Sequence, residues 1–299
     1  MAIRACDFIV VGRMNVLLTG ASGFIGSHLA RALRAAEYVV IEAHRHVGPG
    51  TAAVQADFTR DLSTRAWLPK LGGVDAVINA VGILREHGDQ TFERIHKRAP
   101  QALFTACVAT GVRRVVQISA LGADLGVSRY FVSKRAADDY LATLPLDWTI
   151  VRPAIVFGPG GSSARLFERL AHMPVVPLPG RGEQRMQPIH IDDLTEAIVR
   201  ILGDATTSRA RIDLVGPQSL SLRELLASLR AAMQLSPPRF LPIPMPLVRV
   251  GARVAGVSAM SPLDSETLSM LEAGTRGDPA ATRLLLGREP RPVAEATYP

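Results

Sequence analysis

The sequence predicts an α/β fold in which a doubly wound parallel sheet is joined to a smaller C-terminal domain. Three observations lead to this prediction. Short apolar runs in the first half are continuous, which indicates strands buried on both faces of a parallel sheet. Amphipathic stretches alternate with these runs, as expected for repeated βαβ units. After Arg152, clusters of glycine and proline mark a change in the character of the chain.

The individual elements follow from the apolar periodicity, taken in chain order. Strands are predicted at Asn15–Thr19, Tyr38–Glu42, Ala76–Asn79, Val115–Ser119 and Trp148–Val151. Helices are predicted between them at Ile25–Ala36, near Leu62–Lys70, at Ala99–Thr110 and at Arg129–Leu144. Two later helices are predicted from about Asp192 to Leu202 and over Leu222–Met233, the second opened by a capping box of Ser221 and Glu224.

The chain is predicted to divide into three parts. Residues 1–13 form an extension outside the fold, residues 14–151 form the doubly wound domain, and residues 152–299 form a smaller, interleaved domain on the substrate side. The apolar stretch Leu247–Ala259, in which Arg249 and Arg253 are four residues apart, is interpreted as a lid helix over a cleft.

The composition excludes several classes of protein. The net charge is +7, but the basic residues are scattered and aromatic residues make up 5%, so the basic stripe of a nucleic-acid-binding protein is missing. No apolar run reaches the roughly 18 residues that span a bilayer. The two cysteines argue against a disulfide scaffold and favour a reducing compartment, which predicts a cytoplasmic location. His44 and His46 lack further ligands at metal-binding spacing, so no metal site is predicted.

A glycine-rich turn follows the first predicted strand and opens the first predicted helix. It has the sequence Thr19-Gly20-Ala21-Ser22-Gly23-Phe24-Ile25-Gly26. Gly20 permits a tight turn, Gly23 lets the backbone approach a pyrophosphate, and Gly26 lets the helix and the strand pack closely. The helix N-terminus then presents N–H groups and a partial positive charge to the diphosphate. The turn therefore predicts a dinucleotide site.

Tyr130 and Lys134 are four residues apart on a predicted helix, so their side chains lie on one face. A phenol with a pKa of ~10 is a poor acid at neutral pH, and a nearby ammonium lowers that pKa. The pair is typical of a proton donor and the cation that tunes it.

These stretches resemble the short-chain dehydrogenase/reductase (SDR) superfamily, and the resemblance extends further along the chain. Asn79-Ala80-Val81-Gly82 is similar to the family's Asn-Asn-Ala-Gly element. Ile118-Ser119-Ala120-Leu121-Gly122-Ala123-Asp124 and Gln187-Pro188-Ile189-His190-Ile191-Asp192-Asp193-Leu194 resemble the atypical or extended SDRs. Within that subgroup, the similarity is to NAD(P)H-binding oxidoreductases akin to the dinucleotide-binding accessory subunit of respiratory complex I. The resemblance implies a Rossmann fold.

The resemblance also implies two sets of site residues. The catalytic set is Tyr130, Lys134 and Ser119. The cofactor-binding set is Gly20, Ser22, Gly23, Phe24, Ile25, Gly26, Arg45, Asp57, Ala80, Val81, Gly82, Lys134, Pro153 and Ile155, with Asp57 against the adenine amino group and Lys134 on the nicotinamide ribose.

The sequence departs from the SDR pattern at two positions. Ala120 occupies the place where the family has its catalytic serine, one residue after Ser119. Whether Ser119 or Ser128 takes over that role stays open. His96 stands near the usual asparagine and is interpreted as a packing group.

The end of the second strand predicts the choice of dinucleotide. An NAD enzyme offers a carboxylate there to the ribose 2′-hydroxyl, whereas an NADP enzyme offers an arginine to the 2′-phosphate. Ala43 falls at the usual acidic position, Arg45 lies just beyond it, and Glu42 is one residue early and points to the other side of the strand. NADP(H) is therefore favoured over NAD(H).

Two classes of function remain open from the sequence. The first is an NADP(H)-dependent oxidoreductase that transfers a hydride between nicotinamide and a carbonyl or alcohol substrate, or a nucleotide-sugar epimerase or dehydratase that uses the same Tyr130 and Lys134. The second is a non-catalytic NAD(P)H-binding protein that serves in assembly or redox sensing. The expected partner is a small-molecule substrate, and no clear segment supports association with a membrane or a respiratory complex.

Overall fold

The structure is a computed structural model that describes residues 14–48, 53–255 and 265–293. The predicted extension at residues 1–13 and residues 256–259 of the predicted lid helix lie outside the described residues. In chain order the strands are β1 Asn15–Thr19, β2 Val39–His44, β3 Ala53–Gln55, β4 Ala76–Asn79, β5 Arg114–Ile118, β6 Asp147–Pro153, β7 Val156–Phe157, β8 Val175–Pro179, β9 Arg185–Met186, β10 Ile189–His190, β11 Ala210–Leu214, β12 Leu220–Ser221 and β13 Arg239–Ile243.

The α-helices connect these strands. In chain order they are α1 Phe24–Ala35, α2 Thr64–Trp67, α3 Ala99–Thr110, α4 Arg129–Ala142, α5 Ser162–His172, α6 Ile191–Gly203, α7 Leu222–Ala232, α8 Met245–Ala255, α9 Ser265–Ala273 and α10 Ala280–Leu286. Short 3₁₀ turns follow α2 and precede α4, and a π-helical segment, Glu93–Arg98, leads into α3.

Seven strands form one sheet in the order β11-β6-β5-β4-β1-β2-β3, and every neighbouring pair is parallel. From β1 the strand order runs outward through β2 and β3 on one side, and through β4, β5 and β6 on the other. This arrangement confirms the predicted doubly wound fold. In such sheets the ligand binds beyond the carboxyl ends of the strands, at the point where the order reverses.

Helices cover both faces of the sheet. Successive residues of a buried strand point to opposite faces, so each strand contributes apolar side chains to both layers of helices. On one face, Val16 of β1 belongs to an apolar cluster with Leu29 of α1 and Ile198 of α6. On the other face, Leu17 of β1 belongs to a cluster with Leu103 of α3. All five side chains are fully buried, which explains why these strands are apolar throughout.

The second half of the chain is divided between the main sheet and a smaller layer. Its strand β11 pairs with β6 and its helix α6 packs against α1, so this part belongs to the first half in space. The remaining strands form three two-stranded pairs, β7 with β10, β9 with β12 and β8 with β13. Around them α5 and α7 enclose a separate apolar cluster that contains Phe167, Leu178 and Leu226. The halves interleave, and the predicted boundary after residue 151 stays a prediction.

Strands β3 and β11 are among the elements that the sequence did not predict. Strand β3 has three residues, and β11, with the sequence Ala-Arg-Ile-Asp-Leu, is an edge strand that alternates polar and apolar residues. None of the helices among the described residues is both long and apolar enough to cross a membrane.

Candidate functional site

The predicted phosphate-binding turn, which is the glycine-rich stretch of residues 19–26, connects β1 to α1. It lies at the point where the strand order of the sheet reverses. Gly20 has a φ of +75°, and a Cβ there would lie 2.8 Å from the carbonyl carbon of Ala80. A Cβ on Gly26 would lie 2.0 Å from the carbonyl oxygen of Gly20. Both positions therefore require glycine, as the motif predicts. No side chain caps α1 at Gly23 and no acidic residue stands in its first turn, so the positive end of this helix is not neutralised locally.

A buried polar network joins the carboxyl ends of three strands beneath this turn. The hydroxyl of Thr19 on β1 donates to Oδ1 of Asn79 on β4 at 2.6 Å, and Nδ2 of Asn79 donates to Oε1 of Gln117 on β5 at 2.8 Å. Oδ1 of Asn79 also accepts from the N–H of Val81 at 3.4 Å. The network fixes the loop after β4, which contains the predicted residues 80–82. Its member Gln117 was missed, because a single glutamine in an apolar strand is not a recognised motif.

The adenosine end of the predicted site lies beyond β2. Both carboxylate oxygens of Glu42 are engaged, one with Arg34 at 2.5 Å and one with His44 at 2.8 Å. Although burial opposes it, hydrogen bonds from these two partners lower the pKa of Glu42. Ala43 and Arg45 alternate in the sequence with Glu42 and His44, so their side chains point to the other side. Arg45, which directly follows β2, is exposed.

Asp57 stands close to this end, two residues after β3. Its Oδ1 accepts from the N–H and the hydroxyl of Thr59 at 2.9 and 2.8 Å. Burial raises the pKa of Asp57, but the bonds from Thr59 and the charges of Arg60 and Arg45 outweigh it, so the pKa is lowered. The guanidinium groups of Arg60 and Arg45 therefore lie near Asp57, at the predicted adenosine end.

Lys134 projects from α4 toward the ends of two strands. Its ammonium donates to the carbonyl of Ile118 at 3.1 Å and to that of Val81 at 3.5 Å. Burial lowers its pKa to about 8, while the carboxylate of Asp138 opposes this shift. A Cβ on Gly82 would lie 3.0 Å from this ammonium, so the glycine keeps the space beside Lys134 open.

Tyr130, one turn before Lys134, is surrounded by aromatic rings. The rings of Phe92, His96 and Phe131 contact it edge to face, with centroids 6.1, 5.4 and 5.6 Å away. Burial, with a smaller contribution from the charge of Asp138, raises the pKa of Tyr130 well above its ordinary value. The phenol is therefore protonated at neutral pH.

Ser119 and Asp138 form a buried pair that the sequence did not predict. The hydroxyl of Ser119 donates to Oδ2 of Asp138, a residue that is 2% exposed, and Oδ1 of Asp138 has no hydrogen-bond partner in the part of the chain that the structure describes. Burial raises the pKa of Asp138 to about 6, although Ser119, Lys134 and Arg211 act against this. The spacing of four residues could have pointed to Asp138, because residues 130, 134 and 138 share one face of α4.

His96 and Ser128 have structural partners. Nε2 of His96 accepts from the N–H of Ile83 at 2.9 Å, and its Nδ1 is 2.8 Å from the hydroxyl of Ser133. Burial and the charge of Lys134 hold the pKa of His96 far below its usual value, so the ring is neutral. Ser128 caps α4 by accepting from the N–H of residue 131 at 3.2 Å. Both residues thus fix the position of α4.

One cavity of about 770 Å³ brings most of the predicted residues together. Its lining includes ten of them: Gly23, Phe24, Ile25, Ala80, Gly82, Ser119, Tyr130, Lys134, Pro153 and Ile155. Gly20, Ser22, Gly26 and Val81 belong to the adjoining turns but are not part of the lining, and Arg45 and Asp57 lie at the separate adenosine end. Ala120 also lines the cavity, beside Ser119.

The other end of the cavity is formed by the second half of the chain. Helices α5, α8 and α9 and strand β8 line it, including Val248 and Ala252 of the predicted lid helix. Among residues 14–48, 53–255 and 265–293, no cluster of histidine, cysteine or acidic side chains is placed to hold a metal ion.

Comparison with protein families and curated proteins gives consistent matches. The sequence model of the family described as "NAD dependent epimerase/dehydratase family" matches residues 16–214. A ceramide reductase from Caulobacter vibrioides is 27% identical over 252 residues, which cover 82% of this chain and 79% of that protein. The mitochondrial NADH dehydrogenase [ubiquinone] 1 alpha subcomplex subunit 9 of Arabidopsis thaliana is 28% identical over 249 residues, which cover 78% of this chain and 61% of that protein.

Solved structures share the fold at low sequence identity. A nucleoside-diphosphate-sugar epimerase from Staphylococcus aureus superposes with a TM-score of 0.76 at 20% identity, covering 94% of this chain and 98% of that one. An NADPH-dependent quinone oxidoreductase from Escherichia coli, complexed with NADPH, gives 0.73 at 16% identity, with the same two coverages. These likenesses confirm the α/β architecture.

Proposed function

This chain belongs to the NAD dependent epimerase/dehydratase family, and we propose that it is an NADP(H)-dependent oxidoreductase of the atypical SDR kind. Its reaction is hydride transfer between nicotinamide and a carbonyl or alcohol substrate, with Tyr130 as the proton donor or acceptor. One observation carries the proposal. Tyr130, Lys134 and Ser119 line the same cavity as Gly23 and Phe24 of the phosphate-binding turn.

The residues present fit a nicotinamide dinucleotide. The uncapped N-terminus of α1 offers N–H groups to a pyrophosphate, and Lys134 beside Gly82 can hold the hydroxyls of the nicotinamide ribose. Asp57 would accept from the adenine amino group, and Arg45 would bind a 2′-phosphate. When bound, the reduced cofactor supplies a hydride to a carbonyl carbon.

Tyr130 supplies the proton that the substrate oxygen needs. At neutral pH the phenol is protonated, which is the form required for reduction, and its raised pKa makes it a weaker acid than an ordinary tyrosine. Oxidation of an alcohol requires the phenolate, and the charge of Asp138 disfavours it. The protonation state therefore favours carbonyl reduction. The relative from Caulobacter carries the name of a reductase, which supports the same direction.

Ser119 can assist only in one protonation state of Asp138. While Asp138 is ionised, the hydroxyl of Ser119 donates to that carboxylate and offers only a lone pair to a substrate. A protonated Asp138 can itself donate to Oγ of Ser119, which frees the serine proton for a carbonyl oxygen. Ser119 thus replaces the missing serine at position 120 when Asp138 holds a proton.

The second candidate is a non-catalytic NAD(P)H-binding protein. The engagement of Ser119 with Asp138 favours it, since an ionised Asp138 withholds the serine proton from a substrate. One relative is named as a subunit of a mitochondrial NADH dehydrogenase, which also supports a binding role.

Oxidation of NADPH in the presence of aldehydes, ketones and quinones separates the two candidates. We expect turnover, and a loss of ~10²–10⁴-fold in kcat/KM for Tyr130→Phe, because a general acid contributes that much. Fluorescence titration should show nearly unchanged affinity of this variant for NADPH, since the ring remains.

Tyr140→Phe is the matched control for this experiment. Tyr140 lies on the same helix, but its hydroxyl contacts Thr105 at 2.6 Å and does not line the cavity. Its removal should leave turnover intact. Full activity in Tyr130→Phe would refute Tyr130 as the proton donor, and NADPH binding without turnover of any carbonyl would replace the oxidoreductase with the second candidate.

A further inference from the structure

The end of the cavity that lies between α5, α8 and α9 (the deep end) is mostly apolar. Helix α5 contributes Leu166 and Leu170, and helix α9 contributes Met270 and Leu271. From α8, the side chain of Val248 faces the same space. These side chains come from three helices that enclose the volume between them, so a ligand there exchanges water for hydrocarbon.

Charge is nearly absent from this lining. Of the described residues that line the cavity, two carry a charge, Lys134 at the cofactor end and Arg185. Nη1 of Arg185 donates to the carbonyl of Ser219 at 3.2 Å, and the same guanidinium group pairs with Glu224 at 3.8 Å. The Arg185 side chain is also about half exposed, so its charge is directed toward solvent and the neighbouring carboxylate.

A nucleotide sugar does not match this surface. Its diphosphate carries two negative charges, and burying them without paired cations costs several kcal/mol for each charge. Its sugar and base also carry many hydroxyl and amide groups that need hydrogen-bond partners. The lining residues of α5, α8 and α9 offer three hydroxyl groups, those of Ser162, Ser163 and Thr267, and otherwise only glycine and hydrocarbon, with no charged group.

We propose that the substrate is an aldehyde or ketone carried on a long alkyl or acyl chain. The chain lies between α5, α8 and α9, and the carbonyl lies against Tyr130. This inference rests on the proposed function and specifies its substrate class. The whole cavity, including its cofactor end, has a volume of about 770 Å³, which falls within the range of ligand pockets.

The reaction balances without a further reagent. The carbonyl carbon accepts a hydride from NADPH and forms a C–H bond, the π-electron pair moves to oxygen, and the oxygen takes the proton of Tyr130. The alcohol and NADP⁺ leave, and Tyr130 regains a proton from solvent. Two electrons pass from the cofactor to the carbonyl.

A chain-length series tests the proposal. We expect kcat/KM with NADPH to rise from butanal through hexanal to decanal, by about fourfold for each methylene that becomes buried. UDP-glucose with the oxidised cofactor should not react. Equal kcat/KM for the three aldehydes, or turnover of UDP-glucose, would overturn the inference.

Variants that fill the deep end sharpen the test. In Leu166→Trp, kcat/KM for decanal should fall at least tenfold more than kcat/KM for butanal, because the indole occupies the space of the chain. Met270→Trp provides a second variant should the first fail to fold. Leu284→Trp on α10 is the matched control, since Leu284 is 84% exposed and outside the cavity, and it should change neither value.

A binding measurement separates this inference from the proposed function. Calorimetric titration of the NADPH-bound chain should show decanol binding at least a hundredfold more tightly than butanol. Tight decanol binding without any aldehyde turnover would refute the oxidoreductase and keep the apolar ligand. Aldehyde turnover with equal binding of both alcohols would keep the oxidoreductase and refute the apolar ligand.

Discussion

The two ends of the cavity are built on different physical principles. At the cofactor end, backbone atoms and buried polar groups determine the shape, as in the contact of Gly26 with Gly20 and the network around Asn79. At the deep end, apolar side chains from α5, α8 and α9 determine it. Hydrogen bonds and backbone contacts fix positions to within tenths of an ångström, whereas apolar packing tolerates exchanges that conserve volume.

This difference predicts how each end responds to substitution. A single methyl group should disable the cofactor end, because backbone cannot move aside as a side chain can. The same change at the deep end should only alter which ligand fits.

Gly26→Ala should have the largest effect. The new Cβ would lie 2.0 Å from the carbonyl oxygen of Gly20, so the turn must open and the N-terminus of α1 must move. Overpacking costs up to about 3 kcal/mol, which corresponds to a loss on the order of a hundredfold in NADPH affinity. Fluorescence titration measures it.

Gly72→Ala is the control for this change. A Cβ on Gly72 meets no atom within 4 Å, so this variant should bind NADPH as the parent chain does. Unchanged affinity in Gly26→Ala would show that the turn is not held by this backbone contact.

The cofactor end could be predicted from the sequence, whereas the only part of the deep end that was predicted is the lid helix with Val248 and Ala252. The turn at Gly20 and the pair of Tyr130 and Lys134 are local patterns whose spacing is tied to a strand end or a helix face. The deep end gathers residues such as Leu166 and Met270, more than one hundred positions apart, each an ordinary apolar helix residue. No local spacing shows that such residues meet.

The pair of Ser119 and Asp138 was missed for another reason. Asp138 belongs to α4 and follows the catalytic spacing, but an aspartate on a helix is most often a solvated surface group. Its burial depends on the packing of α4 over β5, which is a tertiary property. The resemblance directed attention to Ala120, while the structure shows the partner of Ser119 on the neighbouring helix.

Arg45→Ala should have an intermediate effect that is confined to one dinucleotide. A charge-assisted bond from arginine to a 2′-phosphate is worth ~1.5–3 kcal/mol, so affinity for NADPH should fall by roughly tenfold or more while affinity for NADH stays the same. Parallel titrations with the two cofactors give the ratio.

Arg239→Ala provides the matched loss of one exposed arginine, on β13 and outside the cavity, and it should leave the ratio unchanged. If the parent chain binds NADH as tightly as NADPH, Arg45 does not contact a 2′-phosphate.

The smallest expected effect is on pH dependence. Because burial raises the pKa of Asp138 to about 6, the protonated form, which releases the Ser119 hydroxyl toward a carbonyl, is populated as the pH falls through 6. The rate constant for carbonyl reduction should therefore rise a few-fold between pH 7 and pH 5. At the basic side, deprotonation of Lys134, with a pKa of about 8, should weaken cofactor binding.

Asp138→Asn should remove the acidic transition and move the basic one. The amide can donate to Ser119 at any pH, so the rise near pH 6 disappears. Loss of the negative charge takes away the interaction that raises the pKa of Lys134, so NADPH affinity should decline at a lower pH than in the parent chain. The control is Asp139→Asn, which removes the same charge from the adjacent residue. The carboxylate of Asp139 pairs with Arg211 and does not contact Ser119. This variant should keep both transitions, with the acidic one at a somewhat lower pH, because the charge of Asp139 contributes to the raised pKa of Asp138. Identical pH profiles of kcat/KM and NADPH affinity in all three chains would show that Asp138 has a purely structural role.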